Sequence, residues 1–244
     1  MTGFVSLVGA GPGHPDYLTI KGARVLAAAE VVVYDALISQ EYLALFPARA
    51  EVHFVGKRCG KHSTSQTEIC ALLVEAAQRG KRVVRLKGGD PGLFSRGGEE
   101  ILALRAAGIP FEIVPGVSSL FAGAAVAGFS PTHRGLSNRL VVFDGHAFRH
   151  DDFDFRPLLS HLGTTVVLMG SRQIERLAAG LMGVGAAPDL PIALVENATF
   201  PDQRVAVSTL ADVAAGQLTP ESDGPAILYV GAVAALAQST PRSR

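Results

Sequence analysis

Tryptophan is absent from this 244-residue sequence, only two cysteines occur, and aromatic residues make up just 7%. Cys59 and Cys70 cannot build a disulfide framework and lack metal-type spacing, which points to a reducing compartment. Net charge is missing too: 22 Lys+Arg against 22 Asp+Glu leave no broad basic face for nucleic acid or an anionic membrane. Any anionic partner must then meet local arginines. No apolar run reaches the roughly 18 residues of a membrane span, and Met1-Thr2-Gly3-Phe4 has no basic region of a signal peptide, so a cytoplasmic enzyme is expected. His146 and His150 precede Asp151-Asp152 in a glycine-led, polar segment, so no metal is expected, and the stretch Ala147 to Arg156 reads as an exposed loop.

What the chain does have is glycine, 27 residues of it, and a 48% hydrophobic content rich in Val, Leu and Ala. That profile suits strands covered on both faces by helices. Short β-branched runs at Phe4 to Val8, Val31 to Tyr34, Val52 to Val55, Val83 to Leu86 and Phe111 to Val114 alternate with helical segments such as Ile20 to Ala29, Glu41 to Phe46 and Gln66 to Gln78. Ser65-Gln66-Thr67-Glu68 predicts a capping box at the start of the last of these. Beyond Gly116, strands are expected at Leu140 to Phe143, Thr165 to Met169, Ile192 to Val195, Arg204 to Ser208 and Ala226 to Val230, with a hairpin around Asn197 to Pro201 and a frayed tail after Gln238. The expected fold is α/β in two domains, 1–116 and 117–244, the first sheet mainly parallel and the second mixed.

Three glycine-rich stretches each follow a predicted strand: Gly9-Ala10-Gly11-Pro12-Gly13, Lys87-Gly88-Gly89-Asp90-Pro91, and Val114-Pro115-Gly116-Val117-Ser118-Ser119. The carboxyl edge of a parallel sheet is where open α/β folds bind ligands, and glycine lets main chain approach a bound molecule closely. One small molecule held largely by backbone is the natural reading. A dinucleotide fingerprint fits poorly, because His14 stands where glycine or alanine is needed and Pro12 and Pro15 disrupt the tight helix entry. Asp90 offers an acceptor for an ammonium or a ribose hydroxyl, or closes an ordinary turn. Arg96, flanked by Ser95 and glycine, is placed to grip a carboxylate, with Arg134 a second candidate; Glu99 and Glu100 are explained by the dipole of the helix they begin. Lys57, Arg58, Lys61 and His62 crowd another loop, which is either a solvated turn or a cationic patch.

These residues, in this order, resemble the tetrapyrrole methylase family, in its branch that methylates uroporphyrinogen III. The likeness runs from Val8-Gly9-Ala10-Gly11-Pro12-Gly13 through Tyr34-Asp35, Gly56-Lys57, the Lys-Gly-Gly-Asp-Pro loop, Arg96-Gly97-Gly98-Glu99-Glu100, Val114-Pro115-Gly116 and Thr132-His133-Arg134 to Met169-Gly170, Val195-Glu196-Asn197 and Pro201 to Val205. The resemblance implies a homodimer of two-domain subunits with S-adenosylmethionine bound in a cleft. By matched position, Pro12, Gly88, Gly89, Asp90, Leu93, Ser118, Ser119, Met169, Ala198 and Ala226 would contact it. Asp35 and Lys57 would be proton acceptor and donor, and Arg96 and Arg134 would meet uroporphyrinogen III. Gly92 departs from a usual phenylalanine, Ser95 from a glycine, Asp144 from a threonine and Ala198 from a frequent glycine.

Overall fold

A computed structural model describes residues 2–56, 64–159 and 163–240. The chain divides into two compact units, Met1–Ser119 and Leu120–Arg244. The first is built on five strands, β1 (Phe4–Gly9), β2 (Val31–Tyr34), β3 (Glu51–Phe54), β4 (Arg82–Lys87) and β5 (Phe111–Val114), in the order β3-β2-β4-β1-β5. Every pairing is parallel, and the register sets Gly9 beside Lys87, Val8 beside Val114, and Tyr34 beside both Leu86 and Phe54. All five strands therefore end on one edge, and the three glycine loops leave three adjacent strands.

Side chains alternate across this sheet. Val5, Leu7, Val31, Val33 and Val83 face Ile69 and Leu73 of α2 (Gln66–Gln78) and Leu104 of α3 (Gly97–Ala106). Val8, Val32, Val84, Leu86 and Val114 form the opposite core, with Leu26 of α1 (Ile20–Ala27) and Tyr42. The capping box at Ser65 forms as the sequence predicts, Glu68 N–H donating to Ser65 Oγ at 3.2 Å and Ser65 N–H to Glu68 Oε2 at 2.6 Å. The segment expected as a helix at Glu41 to Phe46 is a 3-10 helix, Gln40–Leu45.

The second unit takes up α4 (Ser119–Val126) from its second residue and carries β6 (Arg139–Asp144), β7 (Gly163–Leu168), β8 (Pro191–Glu196), β9 (Arg204–Thr209) and β10 (Ala226–Val230), ordered β6-β7-β10-β8-β9. Only β6 and β7 pair in parallel, so the sheet is mixed, and β8 and β9 make the expected hairpin. Its core joins Val167, Leu194 and Leu228 to Leu177 and Leu181 of α5 (Ile174–Gly183) and Val213 of α6 (Leu210–Ala214).

Here one expectation fails and a second is narrowed. The segment 147–156 is not a purely exposed loop: Phe148 is fully buried and Phe153 and Phe155 pack on the same core, their rings 4.9 to 5.7 Å apart. Its intervening charges masked the phenylalanine spacing. Of the tail expected to fray after Gln238, Thr240 is tied down, exchanging hydrogen bonds with the main chain of Val205 on edge strand β9 as Gln238 N–H donates to Ala127 O, while residues 241–244 lie outside the described residues. An edge strand leaves unpaired peptide groups, and the tail satisfies one residue of them.

Candidate active site

At the carboxyl edge of the first sheet the glycine loops are fastened to one another by main chain. Gly11 and Gly89 exchange N–H···O bonds of 3.1 and 2.8 Å, forming an isolated antiparallel bridge. A Cβ on Gly116 would lie 2.4 Å from Gly89 O and 2.8 Å from Gly9 Cα, so only glycine permits this approach. Asp90 closes the assembly from below, accepting from Gly92 N–H at 2.8 Å and from Gly116 N–H at 2.9 Å. Asp90 thus closes a turn, the alternative the sequence offered for it, and ties that turn to a second loop. Gly89, at φ 68°, faces space open enough that an added Cβ would find nothing nearer than Ser119 N at 3.7 Å. The hydroxyls of Ser118 and Ser119 have no partner among the described residues. Pro12 and Leu93 belong to the same loops, Leu93 N–H returning to Asp90 O at 3.3 Å.

Sequence reading missed Tyr42, whose buried hydroxyl donates to Ala10 O inside the first glycine loop. Burial pushes its phenol up to about 12. Tyr42→Phe strands that carbonyl and is expected to cost about 1–3 kcal/mol of unfolding free energy. Denaturant titration checks this; a loss under about 0.5 kcal/mol would mean that the carbonyl finds another donor.

A group of charges lies beneath the same edge. Arg85, Lys87 and Glu100 are 3%, 2% and 0% exposed. Lys87 Nζ donates to both Glu100 oxygens, at 3.0 and 2.9 Å, and Arg85 Nε donates to Glu100 Oε1 at 3.1 Å. Arg85 Nη2 reaches Asp35 Oδ2 at 2.8 Å, while Leu37 N–H donates to Asp35 Oδ1 at 3.1 Å. Burial pulls the Lys87 ammonium below its ordinary range, the Arg85 charge adds to that, and Glu100 opposes both. The available signal was the alternation Arg82-Val83-Val84-Arg85-Leu86-Lys87, which puts two cations on a sheet face otherwise apolar. Glu100 is a buried counter-ion, more than a helix-dipole residue.

Arg96 is 61% exposed, and its fork is filled by Glu99, Nε to Oε2 at 2.8 Å and Nη2 to Oε1 at 2.7 Å. A carboxylate arriving here must compete with Glu99. Beside Arg96, a half-open pocket of about 330 Å³ is lined by Gly92, Phe94, Ser95, Ile101 and Ile113. Arg134 is exposed in a turn closed by the His133–Ser137 bridge and has no side-chain partner among the described residues. Lys57 and the rest of its cationic loop, residues 57–63, lie outside the described residues. No group of three or more metal-type ligands occurs among the described residues.

In the second sheet Met169, Ala198 and Ala226 come to one edge. Ala226 is opposite Glu196, and Ile227 is opposite Leu168, so the start of β10 lies between the ends of β7 and β8. Among the described residues, five besides glycine have left-handed torsions: Phe94 and Arg96 after β4, Met169 after β7, and Asn197 and Thr199 after β8. Backbone strain of this kind collects at working sites. The first glycine loop leads to a 3-10 turn, Pro15–Tyr17, before Thr19 caps α1. That separation withholds the helix terminus a pyrophosphate would need.

These loops match the model for the Tetrapyrrole (Corrin/Porphyrin) Methylases over residues 5–214. The S-adenosyl-L-methionine-dependent uroporphyrinogen III methyltransferase of Methanosarcina barkeri is 45% identical, the match covering 95% of this chain and 92% of that protein. The porphyrin biosynthesis protein HemD of Ruminiclostridium josui is 44% identical over 97% of this chain, which spans only 47% of that relative. The chain is likewise about half the length of the siroheme synthases it matches. The crystal structure of a uroporphyrin-III C-methyl transferase from Thermus thermophilus, complexed with S-adenosylhomocysteine, superposes with a TM-score of 0.82 at 41% identity, covering 96% of this chain and all of that one. The parallel sheet, the mixed sheet and the glycine loops on adjacent strand ends agree with the sequence resemblance, and the chain belongs to the tetrapyrrole methylase family.

Proposed function

We propose that this chain methylates uroporphyrinogen III at C-2 and C-7, giving precorrin-2, with S-adenosylmethionine as donor. One observation carries the reading: three glycine loops, bound to each other through Gly11, Gly89, Gly116 and Asp90, make a backbone ledge whose face at Gly89 is open toward Ser119, a hydroxyl with no partner among the described residues. Such a ledge suits the ribose and amino-acid ends of that donor. Relatives and solved structures with those names support the choice. Pro12, Gly88, Gly89, Asp90, Leu93, Ser118 and Ser119 of the first unit and Met169, Ala198 and Ala226 of the second would contact it.

The donor supplies a methyl carbon already activated by its sulfonium, so no metal is invoked. The protein's work is to orient the attacking pyrrole carbon and exclude water. Arg134 and Arg96, the latter after releasing Glu99, would bind the substrate's carboxylates. Asp35 would take the proton that leaves the ring after attack, with Lys57 as the donor. We further propose a homodimer working in the cytoplasm on a branch of sirohaem, cobalamin or haem d1 formation.

Anaerobic incubation with uroporphyrinogen III and S-adenosylmethionine should yield a product heavier by two methyl groups, with release of S-adenosylhomocysteine. Titration with S-adenosylhomocysteine that shows no uptake by folded protein would end this reading. Because attack precedes deprotonation, Asp35→Asn is expected to slow turnover only about tenfold, below the usual range for acid-base catalysis, and to retain donor affinity. Unchanged turnover would remove Asp35 from the reaction.

A further inference from the structure

Four charges are difficult to explain by stability in a setting of valine and leucine. Replacing buried ion pairs by apolar groups of similar volume is often neutral or favourable, so retention of the cluster calls for another purpose. Its geometry forms a chain of constraints. Lys87 holds both oxygens of Glu100, which stops that carboxylate from rotating. Glu100 in turn holds Arg85 Nε, and Arg85 Nη1 is fixed by Leu86 O at 3.0 Å and Val33 O at 3.4 Å. Nη2 is then directed at Asp35, the one member with a substantially open side chain, 25% exposed. With Leu37 N–H on its other oxygen, the carboxylate is gripped at both ends. Two cations and two anions balance, so nothing in the cluster requires a further counter-ion.

We propose that Arg85 is a positioning residue: anchored by Glu100 and two main-chain carbonyls, it presents one guanidinium nitrogen that sets the orientation of the Asp35 carboxylate for proton removal from the methylated ring. The inference deepens the methyl-transfer reading and rests on it. Lysine cannot replace arginine here, since a single ammonium cannot serve Glu100, two carbonyls and Asp35 from one point.

The test compares Arg85→Lys, Asp35→Asn and the double variant. Arg85→Lys should lower kcat about tenfold while KM for S-adenosylmethionine and affinity for S-adenosylhomocysteine stay within about twofold, the pattern of an interaction realised in the transition state. Amide exchange gives a readout independent of turnover: Leu37, whose N–H rests on Asp35, should exchange about tenfold faster, with Leu7 and Val32 unaffected. In the Asp35→Asn background, adding Arg85→Lys should change neither quantity. Glu100→Gln keeps the shape of the anchor and should give the same pattern at smaller size, which serves if Arg85→Lys folds poorly. Equal losses in both backgrounds, or Leu37 exchange indifferent to Arg85, would overturn the proposal. A wild-type protein that fails to methylate uroporphyrinogen III, yet shows the Leu37 response only with Asp35 present, would sink the functional reading and leave the positioning intact.

Discussion

Glu100→Ala is expected to reduce the unfolding free energy by about 3–5 kcal/mol, the cost of leaving buried charges without their partner. The carboxylate is fully buried and accepts from Arg85, from Lys87 twice, and from Gln66 Nε2 at 3.3 Å, so alanine removes four hydrogen bonds and the negative charge between two cations. The loss should also depend on pH. Burial already lowers Lys87, and Glu100 is the main influence opposing that shift, with a smaller one from Asp35. Without it the ammonium falls further below its unfolded value, so between the two values the native state binds fewer protons than the unfolded state and stability rises with pH. The deficit of the variant should therefore narrow as pH is raised from neutral toward the ordinary lysine range. Urea unfolding at several pH values measures both effects. A deficit under about 1 kcal/mol, or one that widens with pH, would show that Glu100 does not neutralise this cluster.

Gly116→Ala should mainly damage chemistry. Its Cβ would meet Gly89 O at 2.4 Å and Gly9 at 2.8 Å, both main-chain contacts that no side-chain rotation relieves. The loops must separate, and the Gly116 N–H to Asp90 bond stretches with them. Overpacking of this kind costs about 1–3 kcal/mol in stability. In the proposed methyl transfer, where alignment is the protein's chief contribution, a displacement near 1 Å at the ledge should cost about 10²-fold in turnover. S-adenosylhomocysteine affinity should fall with it. Calorimetric titration and initial rates decide the matter: wild-type affinity in a folded Gly116→Ala protein would remove the three-loop ledge from the binding site.

Local features were legible in the sequence because they depend on neighbours a few residues apart. The short β-branched runs marked all five strands of the first sheet, the Ser65 box placed the start of α2, and glycine after those runs marked the loops that share an edge. What stayed hidden depends on contacts distant along the chain. Arg85 meets Asp35 across fifty residues, and Asp90 meets Gly116 across twenty-six, so neither pairing leaves a local trace. Arg96 was read as an open fork, yet Glu99 lies one helical turn away and fills it. The short spacing was visible there, but which of two neighbouring glutamates turned outward was not, since burial alone separates Glu99 from Glu100. Phe148, Phe153 and Phe155 were obscured by surrounding charges that point away from the core their rings join.

The left-handed residues have an evolutionary corollary. Phe94, Arg96, Met169 and Thr199 each hold a torsion that costs on the order of 1–3 kcal/mol outside glycine. A lineage selected for heat tolerance alone would have an easy path toward glycine at these four places, gaining robustness while erasing the side chains on the loops where we propose that methyl transfer occurs. Bulky residues at such angles therefore point to use, and drift to glycine in a descendant would mark a scaffold that has been released from its reaction.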